Sequence, residues 1–205
     1  MNLPARKLAA RSGPPIALHD RAMDNLRFIR ETMERSGSFT HVSGLGIVAM
    51  GLVALPATLL AGRASSPLAW LATWLAAAAL SFAVSTLLMA RKTRAEGVGL
   101  LSGPGRRFAW NVTPPLVAGG VLTLVLARAG LFELLPGTWL LLYGTSVVTG
   151  GSYSVRSIPV MGGAFMLAGV AALLSPETWS DAYMAGGFGA LHIVFGLWIW
   201  RKHGG

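Results

Sequence analysis

Apolar and polar positions fall in long blocks along this chain. Six apolar stretches stand out, at roughly 44–61, 67–90, 108–128, 135–152, 157–174 and 182–200. A hydrocarbon layer ~30 Å thick takes about 20 residues of helix to cross, and most of the stretches reach or approach that length. No Asp, Glu or Lys lies well inside any of them. Backbone N–H and C=O groups in lipid must be paired within the segment, so each stretch predicts an α-helix. The connections at 62–66, 129–134, 153–156 and 175–181 are short, which predicts antiparallel neighbours. The expected fold is all-α, with six transmembrane helices as three antiparallel hairpins across 38–205.

Before the first stretch the pattern changes. Ala22, Leu26, Ile29 and Met33 are spaced 4, 3 and 4 apart, a narrow apolar stripe on one face of a helix over 20–37. Asp20 suits its N-cap, Asp24 its positive end, and Gly37 its stop after Arg35. Such a helix either lies on the bilayer, with Arg27, Arg30 and Arg35 meeting lipid phosphates, or docks a cytosolic partner through 20–36. Residues 1–19 hold Arg6, Lys7 and Arg11 and no acid, but Pro14-Pro15 interrupts them and no apolar run follows. No secretory signal is therefore expected; an organellar transit peptide shares the Arg-rich, acid-free character, and the expectation is a disordered basic tail.

Composition supports the membrane reading. Of 205 residues, 53% are hydrophobic and 12% charged, against about 25% charged in soluble domains. There are no cysteines, which removes disulfides, thiolate metal sites and cysteine nucleophiles. The net charge of +9 would suggest nucleic acid in a soluble protein, but here its placement speaks against that partner. Fifteen basic residues gather on one side: seven from Arg6 to Arg35, five from Arg91 to Arg107, then Arg156, Arg201 and Lys202. The other side has Arg63 and Arg128, beside Glu133, Glu177 and Asp181. The positive-inside rule then puts both termini in the cytoplasm. Fourteen Arg to three Lys, with abundant Ala, Gly and Leu, point to a GC-rich genome and a bacterial inner membrane.

Three apolar stretches open alike, as Pro67-x-x-Trp70-x-x-x-Trp74, Pro136-x-x-Trp139-x-x-x-Tyr143 and Pro176-x-x-Trp179-x-x-x-Tyr183. Proline suits a first helical turn, and aromatic residues four apart share a face that favours the headgroup boundary. Either each helix start independently needs these anchors, or one hairpin unit is repeated three times. If the unit is repeated, the three tryptophans should lie at one depth. Residues 163–196, with Gly163, Gly169, Val170-Ala-Ala-Leu-Leu-Ser-Pro176 and Gly196, resemble the helix-hairpin unit of HdeD-type short-repeat membrane proteins, bacterial six-span proteins linked to acid resistance. The whole chain, including Asp20–Glu34, also resembles uncharacterised bacterial six-span inner-membrane proteins. Neither resemblance implies a catalytic or binding residue.

Candidate chemistry is sparse. His192 and His41 differ in depth by roughly 15 Å at 1.5 Å per residue, which separates them as ligands of one haem. No His-Glu-x-x-His or carboxylate cluster offers a metal site. No acid shares the depth of His192 to complete a triad, and no buried carboxylate suits a proton-coupled pump. Neither cofactor nor metal is expected, and the chain reads as non-enzymatic. Polar residues do crowd toward the basic side: Asn111, Thr113, Thr145, Ser146, Thr149 and His192, with Pro114-Pro115 freeing carbonyls at the same depth. They either stitch helices together or line a polar cavity open to the cytoplasm. Arg156, before the fifth stretch, suits a lipid phosphate. Ala185, Gly189 and Gly196 with Gly162, Gly163 and Gly169 predict that the fifth and sixth stretches form the tightest pair. The function expected is structural, stress-related or regulatory, binding lipid, a second copy or a partner; a small-molecule or ion permease is the alternative.

Overall fold

A computed structural model describes residues 23–29, 33, 42–95, 97, 103–152 and 154–203. The chain divides into two units, Met1–Gly37 and Ser38–Gly205. In the first unit, residues 23–29 are helical (α1), and Leu26, Phe28 and Ile29 are exposed. The expected tail at 1–19 and the Asp20 cap lie outside the described residues.

The second unit is helical, with no strand among its described residues. Its α-helices are α2 (Gly44–Ala61), α3 (Pro67–Ala95), α4 (Gly103–Arg128), α5 (Leu135–Gly151), α6 (Ser157–Leu174), α7 (Ser180–Met184) and α8 (His192–His203). A π-helical segment, Ala185–Leu191, joins α7 to α8, so that 180–203 run as one interrupted helix. Local chemistry fixes the ends. Ser43 caps α2 by accepting the Gly46 N–H at 3.1 Å, and the Ser66 hydroxyl accepts the Ala69 N–H at 3.2 Å as α3 begins. Gly130, at φ 77°, ends α4. Leu131 N–H then reaches the Leu126 carbonyl and Gly130 N–H that of Ala127, the paired bonds of a Schellman stop.

Among the described residues, five helices are long and apolar enough to cross a membrane: Gly44–Ala61, Pro67–Ala95, Gly105–Arg128, Ser157–Leu174 and Glu177–Lys202. The chain is thus a multi-pass membrane protein by length and composition. The sixth expected span, 135–152, forms α5, whose 17 residues reach only about 26 Å at 1.5 Å per residue. A 3-10 turn, Phe132–Leu134, stands ahead of it. This shortest of the long helices carries many buried positions, with Leu135 and Leu140 fully enclosed.

Packing gathers the helices into two sets of three. α2 lies between α3 and α8, and α5 lies between α4 and α6. The expectation that 157–174 and 182–200 pair most tightly is overturned: α5 and α6 make the most extensive contact, and α6 barely meets α8. The reason lies in glycines seven apart. A methyl group on Gly144 would stand 2.6 Å from the Gly162 carbonyl oxygen, and one on Gly169 would stand 2.9 Å from that of Gly137. Gly162 and Gly169 are therefore committed to α5. On the other set, a methyl on Gly196 would stand 3.0 Å from the Gly44 oxygen, and one on Gly51 2.7 Å from the Gly189 oxygen. Gly189 and Gly196 are committed to α2, while Gly163 faces nothing within 4 Å. Two turns of helix take 7.2 residues, so such glycines keep one face and let two backbones approach.

Candidate functional site

Ring-bearing side chains fill most of the boundary between the two sets, where Gly187 also makes room for Leu140 of α5. From α3 come Trp70 and Trp74, from α5 Trp139 and Tyr143, from α6 Phe165, from the π segment Phe188, and from α8 His192. Trp70 stacks on Trp139 across the boundary, with ring centroids 5.6 Å apart and planes 14° apart. Phe188 stands 5.3 Å from Tyr143, 5.6 Å from Phe165 and 6.3 Å from Trp74. These offset and tilted geometries suit the ring quadrupoles.

His192 is 1% exposed at the centre of this layer. Its Nδ1 lies 2.8 Å from the Phe188 carbonyl oxygen, and its Nε2 lies 2.6 Å from the Tyr143 hydroxyl. A carbonyl can only accept, so the proton belongs on Nδ1; Nε2 then accepts from the Tyr143 O–H. Both ring nitrogens are occupied by protein groups, leaving no lone pair for a metal. No group of three or more His, Asp or Glu stands together among the described residues.

The polar residues expected either to stitch helices together or to line a cavity are placed as follows. Asn111 Nδ2 donates to Arg107 O at 2.8 Å, Thr113 to Ala109 O at 2.7 Å, and Thr145 to Leu141 O at 2.9 Å, each within its own helix. Ser146 donates across to Val112 O at 2.8 Å. The Thr149 hydroxyl lies 2.9 Å from Asn111 O and 3.0 Å from Thr145 O. Asn111 O is the carbonyl that Pro115, four residues on, deprives of its helical donor. The structure thus brings Ser146 and Thr149 of α5 to the proline-disrupted turn of α4. His192 stands apart with the aromatic layer. Arg156 is exposed at the N-cap of α6.

A depression of about 610 Å³ opens at the opposite end, where Pro67, Pro136 and Pro176 begin their segments. Ser65, Ser66, Trp70, Phe132, Glu133, Glu177 and Asp181 contribute to its lining. The Trp70 indole N–H donates to Asp181 Oδ1 at 3.1 Å. That of Trp139 donates to the Thr123 hydroxyl at 2.7 Å, and Thr123 in turn donates to Gly119 O. Trp70 also packs on a buried cluster of Ala54, Ala57, Ala61, Trp74, Ala77 and Met184. Within it the Trp74 indole nitrogen is buried and has no hydrogen-bond partner among the described residues.

The repeated motif therefore marked these residues without showing their roles. Trp70 and Trp139 turn inward and stack, whereas Trp179 is 58% exposed. The third unit departs from the other two because Pro176 leads into a 3-10 turn, Glu177–Trp179, rather than directly into an α-helix. Asp181 and Phe188 gave no signal in the sequence beyond their positions. Comparisons with protein-family models, curated proteins and solved structures find no match for this chain.

Proposed function

We propose that this chain is a six-span, non-enzymatic protein of a bacterial inner membrane, with both termini cytoplasmic and a structural, stress-related or regulatory role. In this reading α5 crosses as the sixth span, supported by its place between the longer α4 and α6 and by its 17 residues, at the lower edge of the ~17–25 that a bilayer accepts. One observation carries the non-enzymatic part. Asn111, Thr113, Thr145, Ser146, Thr149 and His192 all bond to protein groups, the first three within their own helix and the last three across helices, so their polar capacity is met inside the protein. The basic end, with Arg106, Arg107, Arg156, Arg201 and Lys202, meets anionic lipid headgroups, and Arg156 contacts a lipid phosphate.

Nanodiscs test the lipid part. Thermal stability should be higher in bilayers containing phosphatidylglycerol than in phosphatidylcholine alone, and Arg156→Ala should reduce that difference. Equal stability in both bilayers would refute the lipid assignment. A second reading, a small-molecule or ion permease, draws support from a different feature, the depression at the proline end with a layer of rings beneath it. Liposome flux of monovalent cations distinguishes the two readings: the first predicts no flux above that of empty vesicles.

A further inference from the structure

We infer that the stacked Trp70–Trp139 pair is a gate, closing the depression at the proline end off from the buried layer around Trp74. Four observations meet here. Trp70 belongs to both compartments, lining the depression and packing on the Ala54–Ala57–Ala61–Trp74–Ala77–Met184 cluster. The two rings come from different helix sets, so their stack is made or broken by movement between the sets. Each ring is latched from the side: Trp70 by Asp181 at 3.1 Å and Trp139 by Thr123 at 2.7 Å. Beneath the stack stands Trp74, whose centroid is 6.3 Å from that of Trp70 and whose indole N–H is buried without an acceptor.

A buried donor with no partner is uncommon in a native fold and marks a place where a hydrogen-bond acceptor is wanted. Opening the stack connects that donor to the depression, where water or a small polar molecule supplies the acceptor. The packing permits this movement. Glycine contacts tie α2 to α8 and α5 to α6, but the Trp70–Trp139 contact rests on ring faces and two side-chain bonds. The inference goes beyond the proposed function, since gated access to a buried donor serves a sensor as well as a permease.

The absence of native cysteine allows a direct test. Ala57 is 5% exposed and lies one helical turn below Ala61, which lines the depression. The Ala57→Cys protein in nanodiscs is treated with a trimethylammonium thiosulfonate, and labelling is followed by mass. Ser65→Cys, in the depression itself, should react promptly, and Ala57→Cys slowly. Adding Asp181→Ala, which unlatches Trp70 but keeps both rings, should speed labelling of the Ala57→Cys thiol about tenfold, the effect of losing one hydrogen bond to a charged group. Leu60→Cys, which is 63% exposed and faces away from the cluster, should not respond. Trp139→Ala, which removes one ring of the stack, should speed the same labelling at least as much, and if it fails to fold, Asp181→Ala still decides. Labelling of Ala57→Cys as fast as Ser65→Cys in the parent would overturn the gate. So would an unchanged rate in the Asp181→Ala background, or an equal acceleration at Leu60→Cys.

Discussion

The two kinds of contact in this bundle work on different principles. Between α5 and α6, and again between α2 and α8, backbone approaches backbone, and glycine is present because nothing larger fits. Between the two sets, Trp70, Trp139, Tyr143, Phe165, Phe188 and His192 make contact through rings and a few hydrogen bonds. Lipid gives helices no hydrophobic drive to associate, so close van der Waals approach must supply the cohesion. The glycine contacts provide that approach and leave little room to adjust. The aromatic layer has rotamers and bond partners to exchange, and it holds the buried donor of Trp74. Rigidity belongs within each set, and adjustment between them.

Substitutions can break or sharpen this contrast. The largest effect is expected at the glycine contact. Gly144→Leu forces a side chain against the Gly162 oxygen and the Met166 backbone nitrogen, 2.6 and 2.7 Å from the first added atom. It should cost about 3 kcal/mol or more, as overpacking against backbone does, seen as lost folded protein in detergent or a sharply lowered unfolding midpoint. Tyr143→Phe should come next. It keeps the ring but leaves His192 Nε2 buried without its 2.6 Å partner, at about 1–3 kcal/mol. A smaller loss, about 1 kcal/mol, is expected for Thr123→Val, which removes the acceptor of Trp139. Gly163→Ala should change stability by under ~0.5 kcal/mol, because nothing stands within 4 Å of the added methyl. If Gly163→Ala proved as harmful as Gly144→Leu, the division between committed and idle glycines would be wrong.

Much of the helical architecture was legible in the apolar blocks. The starts at Gly44, Pro67, Leu135 and Ser157 lie where the pattern changes from polar to apolar. What the blocks concealed was partnership. The small residues Gly162, Gly163, Gly169, Ala185, Gly189 and Gly196 suggested that 157–174 pairs with 182–200, but two other helices carry the same glycine spacing. Gly44 and Gly51, Gly137 and Gly144, Gly162 and Gly169, and Gly189 and Gly196 are each seven apart. That spacing marks a close-packing face on each of the four helices, but because it is the same on all of them it does not say which helix meets which, and only the packed structure pairs α5 with α6 and α2 with α8. The aromatic layer was half legible. The Pro-x-x-Trp pattern located Trp70 and Trp139, but a boundary tryptophan and a tryptophan stacked between helices look alike in sequence. The π segment was not legible at all, since Ala185–Leu191 is a glycine-rich apolar run that also suits an ordinary helix. Its extra residue per turn sets how Phe188 and His192 are presented. Among the polar residues, the carbonyls freed by Pro114-Pro115 were foreseeable, and Thr149 on Asn111 O is one answer the fold gives.

The account turns on α5, the shortest of the long helices and the one around which α4 and α6 gather. If α5 crosses the bilayer, six spans return the C-terminus to the side of the N-terminus; if it does not, five spans leave the two ends on opposite sides. A reporter active only in the cytoplasm, fused once before Met1 and once after Lys202, measures this directly. The account predicts activity from both fusions. Activity from the N-terminal fusion alone, with a periplasmic reporter active after Lys202, would contradict it.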